Sequence, residues 1–252
     1  MARATTVIIS NLPGGDFIIY QFDSRVRYSE VDMQQKLTLN SIINYFQDCS
    51  TFQSEELGLG IEYLKECQRA WILSAWQIVI VRFPKLGEKI TVQTWAYGFK
   101  SFCGERNFSM LDGDGKRVVS ANSMWAFVDT VSGRPVRPEP EHIDAYGSEE
   151  PLDMEYAPRK IALPGDPVRM ESFTVQRHQL DTNHHVNNGQ YVRMANEFLP
   201  ENFQVRQMRA EYKKAAVLHD VIVPFVYERE KECTVALCNE AGKPYAVVSF
   251  LS

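Results

Sequence analysis

From Leu39 the apolar positions fall at Leu39, Ile42, Ile43, Phe46 and Cys49, the i, i+3, i+4, i+7 recurrence that marks one face of a helix. Thr38 stands immediately before this run and is a good N-cap residue. The period then changes. Trp71–Phe83, Lys89–Tyr97, Phe102–Leu111 and Val118–Val128 are β-rich and extended, separated by the polar or glycine-bearing junctions Lys85-Leu-Gly-Glu and Asp112-Gly-Asp-Gly-Lys, which suit hairpins.

The whole succession occurs twice. Val26-Arg-Tyr-Ser-Glu-Val-Asp32 lines up with Val175-Gln-Arg-His-Gln-Leu-Asp181, and the same offset sets Thr38 on Asn187 and Ile42-Ile43 on Tyr191-Val192. Tyr191, Val192, Ala195 and Phe198 repeat the helical spacing, and extended segments follow at Gln204–Ala216, Val221–Glu228, Cys233–Cys238 and Pro244–Phe250. Glu240-Ala-Gly-Lys occupies the place of Asp114-Gly-Lys. Between the copies, Ser132–Pro167 is rich in proline and carboxylates and poor in periodic apolar residues, which is linker composition. The fold class expected is α+β: two tandem hot-dog domains, each a long helix wrapped by a curved antiparallel sheet. Their bounds are 1–140 and 169–252, with a linker over 141–168.

Composition narrows the classes of function. A hydrophobic fraction of 44% with 23% charged residues supports a substantial core. The net charge of −5 gives no general attraction to nucleic acid, and no apolar run approaches the ~20 residues that cross a bilayer. Met1–Gly15 lacks the basic and apolar regions of a signal peptide, so the expected location is the cytoplasm. The five cysteines are odd in number and form no CxxC pair, which argues for reduced thiols and against a zinc site. No metal and no cofactor are expected.

Candidate chemistry concentrates in Asp181-Thr-Asn-His-His-Val-Asn-Asn188, where the second copy turns into its helix. The first copy has Asp32, Gln34, Lys36 and Leu37 there, keeping the carboxylate and lacking the rest. If the backbone is extended, Asp181, Asn183 and His185 project to one side. An acid or imidazole can polarise water, an amide can orient it, and N–H groups at the helix start can meet an oxyanion, a set suited to thioester hydrolysis. No G-x-S-x-G elbow is present.

The chain resembles the acyl-acyl carrier protein thioesterases of plant plastids and their bacterial relatives. The resemblance rests on Tyr28-Ser-Glu-Val-Asp with Thr38-Leu-Asn-Ser-Ile-Ile-Asn-Tyr-Phe-Gln, on Arg82-Phe-Pro-Lys-Leu-Gly-Glu-Lys-Ile-Thr-Val-Gln-Thr-Trp, and on Leu180-Asp-Thr-Asn-His-His-Val-Asn-Asn. It implies hydrolysis of fatty acyl-acyl carrier protein, with Asp181, Asn183 and His185 catalytic. It also implies an acyl-binding first domain and acyl carrier protein as partner; Arg159-Lys160, Arg206, Arg209 and Lys213-Lys214 are the residues that could supply a basic rim for that acidic partner or its phosphopantetheine. Ile43, Phe46, Trp76 and Trp95 are the candidate acyl contacts, with Asn187 and Asn188 as further substrate-binding candidates; no nucleic acid or membrane partner is expected, and the chain would be a monomer or homodimer. One position departs. The family's Glu-Cys pair falls on Ala215-Ala216, which removes a covalent thiol route, and Glu211 stands about 13 Å away along a strand. An acyl-CoA thioesterase of the same fold and a non-catalytic acyl-binding protein are the alternatives.

Overall fold

The computed structural model describes residues 19–252, so the Met1–Gly15 reading lies outside the described residues. The elements follow the chain as β1 (Tyr20–Arg25), α1 (Leu39–Glu56), α2 (Ile61–Glu66), β2 (Arg69–Ile80), β3 (Lys89–Lys100), β4 (Cys103–Asp112), β5 (Arg117–Asp129) and α3 (Pro140–Tyr146). They continue as β6 (Val168–Arg169), β7 (Phe173–Thr174), α4 (Asn188–Asn196), β8 (Gln207–Tyr212), β9 (Val221–Arg229), β10 (Glu232–Cys238) and β11 (Pro244–Leu251). Two compact units result: one holds the described chain from residue 19 up to Leu73 with Val81–Glu155, the other Ser74–Ile80 with Tyr156–Ser252.

In the first unit β1, β3, β4 and β5 pair in that order, each antiparallel to its neighbour. Helix α1 lies on this sheet because its apolar stripe has nowhere else to go: Ile42, Ile43, Phe46 and Cys49 are fully buried. Phe46 meets Phe108 of β4 at 5.1 Å between ring centroids. Each such side chain contributes about 1.5–3 kcal/mol when withdrawn from water. Thr38 caps the helix by accepting the Ser41 N–H at 3.2 Å, and at the far end Gly58 and Leu59 return N–H groups to Glu55 and Ser54.

In the second unit the order is β8, β11, β10, β9, with β6 and β7 both on β9, again antiparallel throughout. Ala75–Val79 of β2 adds to β8 on the other side. Helix α4 packs on β10 and β11 but has 9 residues against the 18 of α1, so the second helix is shorter than its sequence pattern suggests. Phe198 and Leu199 donate only three residues back, to Ala195 and Asn196, and Pro200 forbids a further turn. Strand β8 also stops early, at Tyr212, because Lys213 and Lys214 both turn their N–H groups to the one carbonyl of Tyr245.

The two hairpin junctions close alike. Asp112 and Asn239 each accept a backbone N–H four residues on, from Lys116 and Lys243, both at 2.9 Å. Gly115 and Gly242 take the positive φ, 77° and 73°, that L residues resist. The proline-rich stretch between the copies is bound along its length. Leu152 N–H donates to Asn107 at 2.9 Å and the Trp95 ring N–H to the Glu150 carbonyl at 3.0 Å in the first unit. In the second, Ala157 N–H donates to Gln77 at 2.8 Å, Ile161 N–H to Glu211 at 3.1 Å, and Arg209 to the carbonyls of Pro158 and Lys160. Ile161 itself is buried among Tyr227, Ala236, Cys238 and Val247.

Candidate active site

The segment from Asp181 is a tight turn rather than an extended strand, which corrects the premise that alternate side chains share one side. Asp181 N–H donates to the His185 carbonyl at 2.7 Å, and His184 sits at φ 61°. The Asp181 carboxylate builds this turn from within: Oδ1 accepts the N–H groups of Asn183 at 2.8 Å and His185 at 3.2 Å. Both bonds use one oxygen, so Oδ2 takes no part in the turn. Leu180 and Val186 bridge across its base. Asn183 and His185 are exposed and Asp181 is half-buried.

Asn187 then starts α4. Its side chain accepts the Gly189 N–H at 2.9 Å and its carbonyl the Gln190 N–H at 2.9 Å. Asn188 offers its carbonyl to the Tyr212 hydroxyl at 3.0 Å. Both asparagines thus have local structural tasks. Beneath the turn runs the loop after β8: Val186 N–H donates to Ala216 O at 2.9 Å, His185 pairs with Val217, and Ala216 N–H donates to the Tyr191 hydroxyl at 2.8 Å. Burial pushes Tyr191 up to about 12; the Ala216 N–H works against that rise, and the charges of Asp220 and Asp181 add to it. In the sequence Tyr191 reads only as an apolar helical position, and Tyr212 only as part of the Glu-Tyr pair that precedes the family's departing position.

Ala215 is exposed, between the end of β8 and the pairing at Val217. Glu211 is buried on β8 and bound elsewhere, to Lys213 at 2.9 Å and the Ile161 N–H. Burial alone would raise its carboxyl. The Lys213 and Ile161 hydrogen bonds and the charges of Lys213 and Arg159 outweigh that, and it lies below the usual carboxylate range. Of the basic rim, Lys213 is held by Glu211 and Arg209 by two carbonyls.

Within the first unit the acyl-contact candidates lie on two faces of the sheet. Ile43 and Phe46 share the interior between α1 and the sheet. Trp95 lies beside Thr94, which pairs with the helix-facing Phe108, so its ring is on the opposite face, where its N–H reaches Glu150. Trp76 pairs with Ala210 in the second unit. Cysteine chemistry finds no support in the second unit: Cys233 and Cys238 are buried, and burial pushes the Cys233 thiol up to about 11. Among the described residues no cluster of three metal-ligating side chains occurs, and no helix is long and apolar enough to cross a membrane.

Comparison with known proteins follows the same division. The sequence profile of the acyl-ACP thioesterase N-terminal domain matches residues 18–146, and that of the C-terminal domain matches 165–246. A chloroplastic acyl-[acyl-carrier-protein] hydrolase of Cuphea viscosissima is 24% identical over 227 residues, covering 82% of this chain and 55% of the relative. Oleoyl-acyl carrier protein thioesterase 1 of Arabidopsis thaliana is 21% identical, covering 82% and 63%. The chain spans about half the length of the Cuphea relative it matches. Among solved structures, an acyl-ACP thioesterase of Bacteroides thetaiotaomicron superposes with a TM-score of 0.85 at 26% identity, over 92% of this chain and 97% of the other. The 12:0-ACP thioesterase of Umbellularia californica gives 0.80 at 16% identity, over 94% and 98%, a likeness of fold.

Proposed function

The chain belongs to the acyl-ACP thioesterase family, and from that premise we propose that it hydrolyses the thioester of fatty acyl-acyl carrier protein, releasing the fatty acid and ending chain elongation. The observation that carries this reading is the Asp181–His185 turn. It presents a carboxylate with one oxygen outside the turn, an exposed amide and an exposed imidazole at the start of a helix. In the reading, His185 with Asp181 takes a proton from water as it adds to the thioester carbon, and Asn183 orients that water. The tetrahedral oxyanion needs an N–H donor. Gly189 and Gln190 give theirs to Asn187, so that task falls to Asn188. Collapse breaks the C–S bond, and the proton held at the site goes to the departing thiol of the carrier's prosthetic arm. Acyl-chain binding is assigned to the interior bounded by Ile43 and Phe46.

The exposed Ala215 at the family's glutamate position favours a second reading, an acyl-binding protein without turnover. One paired assay separates the choices: the same acyl chain is offered on carrier protein and on CoA, and release of fatty acid is followed. Faster turnover on carrier protein is expected. Faster turnover on CoA identifies an acyl-CoA thioesterase, and stoichiometric retention without release an acyl-binding protein.

A further inference from the structure

The internal repeat supplies its own control for the loop beneath the active turn. In the first unit Leu37 N–H donates to Pro84 O at 2.8 Å and Lys36 pairs with Lys85; in the second, Val186 N–H donates to Ala216 O and His185 pairs with Val217. Pro84 and Ala216 are therefore equivalent. They differ in one respect that matters here: proline has no N–H. The helix residue at the corresponding place differs to match. Ile42 is apolar, whereas Tyr191, its counterpart, is buried and turns its hydroxyl to the Ala216 N–H at 2.8 Å. A buried N–H without an acceptor costs about 1–3 kcal/mol, so Ala216 and Tyr191 form a pair that the first copy has no need of.

We propose that Tyr191 is a positioning residue: by holding Ala216 N–H it fixes the loop whose next two contacts, Ala216 O with Val186 N–H and Val217 with His185, set the backbone that carries the imidazole. The chain of contacts is short and continuous: hydroxyl, Ala216, Val186 and His185. The Tyr212 hydroxyl on Asn188 O braces the start of the same helix, and its ring lies 5.9 Å from that of Tyr191. A loosened loop moves His185 relative to the thioester, and displacements of about 1 Å are enough to cost a large factor in rate. The catalytic part of this proposal rests on the thioesterase reading; the clamp itself does not.

Tyr191→Phe removes the hydroxyl and keeps the ring. In the full chain it should lower kcat on acyl-acyl carrier protein at least about tenfold with KM within about twofold, and speed amide hydrogen exchange at Val186. Adding Ala216→Pro, which copies the first unit, deletes the orphaned N–H; it should restore slow exchange at Val186 and most of kcat. Unchanged kcat in Tyr191→Phe overturns the proposal. So does a lost kcat that Ala216→Pro fails to restore while exchange at Val186 is restored, since Tyr191 would then act through its own proton. A wild-type chain that never cleaves acyl-acyl carrier protein defeats the function reading instead, and exchange at Val186 then decides the clamp alone: faster in Tyr191→Phe supports it, unchanged removes it.

Discussion

The turn at Asp32 and the turn at Asp181 are built by the same bonds and carry different side chains. Asp32 Oδ1 accepts the N–H groups of Gln34 at 2.8 Å and Lys36 at 2.9 Å, as Asp181 does for Asn183 and His185. Gln35 and His184 take the left-handed conformation at φ 59° and 61°. Thr38 and Asn187 donate their N–H groups to Glu30 and Gln179, at 3.0 and 2.9 Å, and then cap their helices. The comparison separates two jobs that one aspartate performs. Holding the turn is common to both copies and cannot by itself be catalytic; the second copy shortens the amide from Gln34 to Asn183 and adds the imidazole and the tyrosine clamp.

The sharpest way to break the comparison is to change the added groups. His185→Ala and Asp181→Asn should each cut hydrolysis of acyl-acyl carrier protein by at least ~100-fold in steady-state assays. Asparagine can still accept both turn N–H groups, so Asp181→Asn isolates the charge. Lys36→Ala and Asp32→Asn, the matching changes in the first copy, should leave the rate within about twofold. Near-normal turnover in His185→Ala would move the site elsewhere.

Removing the acceptor altogether should erase the difference. Asp32→Ala and Asp181→Ala each hand the same two exposed N–H groups from a charged acceptor to water and should lower stability by a similar amount, about 1–3 kcal/mol, in thermal or denaturant unfolding. Unequal losses would mean the two turns are alike in outline only.

A pH titration sharpens the contrast between Glu211, which is structural, and the site. Its folded carboxyl lies below the unfolded value of about 4.3, so its contribution is present above that value and is lost as the pH falls through the lower folded one. Glu211→Gln should therefore be less stable than wild type at neutral pH, with the gap closing as acid is added. A gap that stays constant with pH would show that no titrating carboxylate is involved.

The smallest effect concerns the family position that departs. Ala215→Glu places a second carboxylate near the turn and should move the acidic limb of the pH–rate profile upward while the maximal rate changes less than about tenfold. An unmoved limb would mean that residue 215, exposed as it is, does not face Asp181.

Much of this was legible from pattern. The strands after α1 begin and end within a few residues of their β-rich segments, and the caps at Thr38 and Asn187 were visible as residue types. The doubling of the plan was readable because each copy must bury one helical stripe on one sheet. What escaped depends on backbone bonds that side-chain pattern does not record. An Asp that accepts its own downstream N–H groups looks, as a string, like an Asp poised for chemistry. Likewise Tyr191 fits an apolar stripe, and only the absence of an N–H at Pro84 shows why its hydroxyl is there. The proline-rich stretch reads as a tether because much of its binding runs through carbonyls and N–H groups, and its buried hydrophobic side chains, Tyr146, Leu152 and Ile161, are too widely spaced to make a period.

The second unit is discontinuous along the chain, opening with Ser74–Ile80 and resuming only at Tyr156. During synthesis Trp76 and Ile78, both buried in the finished protein, leave the ribosome well before Ala210 and Met208, against which they pair. Gln77 and Gln207, which end joined side chain to side chain, are 130 residues apart, a delay of roughly 7 to 26 seconds at ordinary translation rates of about 5–20 residues per second. For that interval the apolar segment lacks its β8 partner, and an open strand edge of this kind is what holdase chaperones bind and what aggregates when they do not.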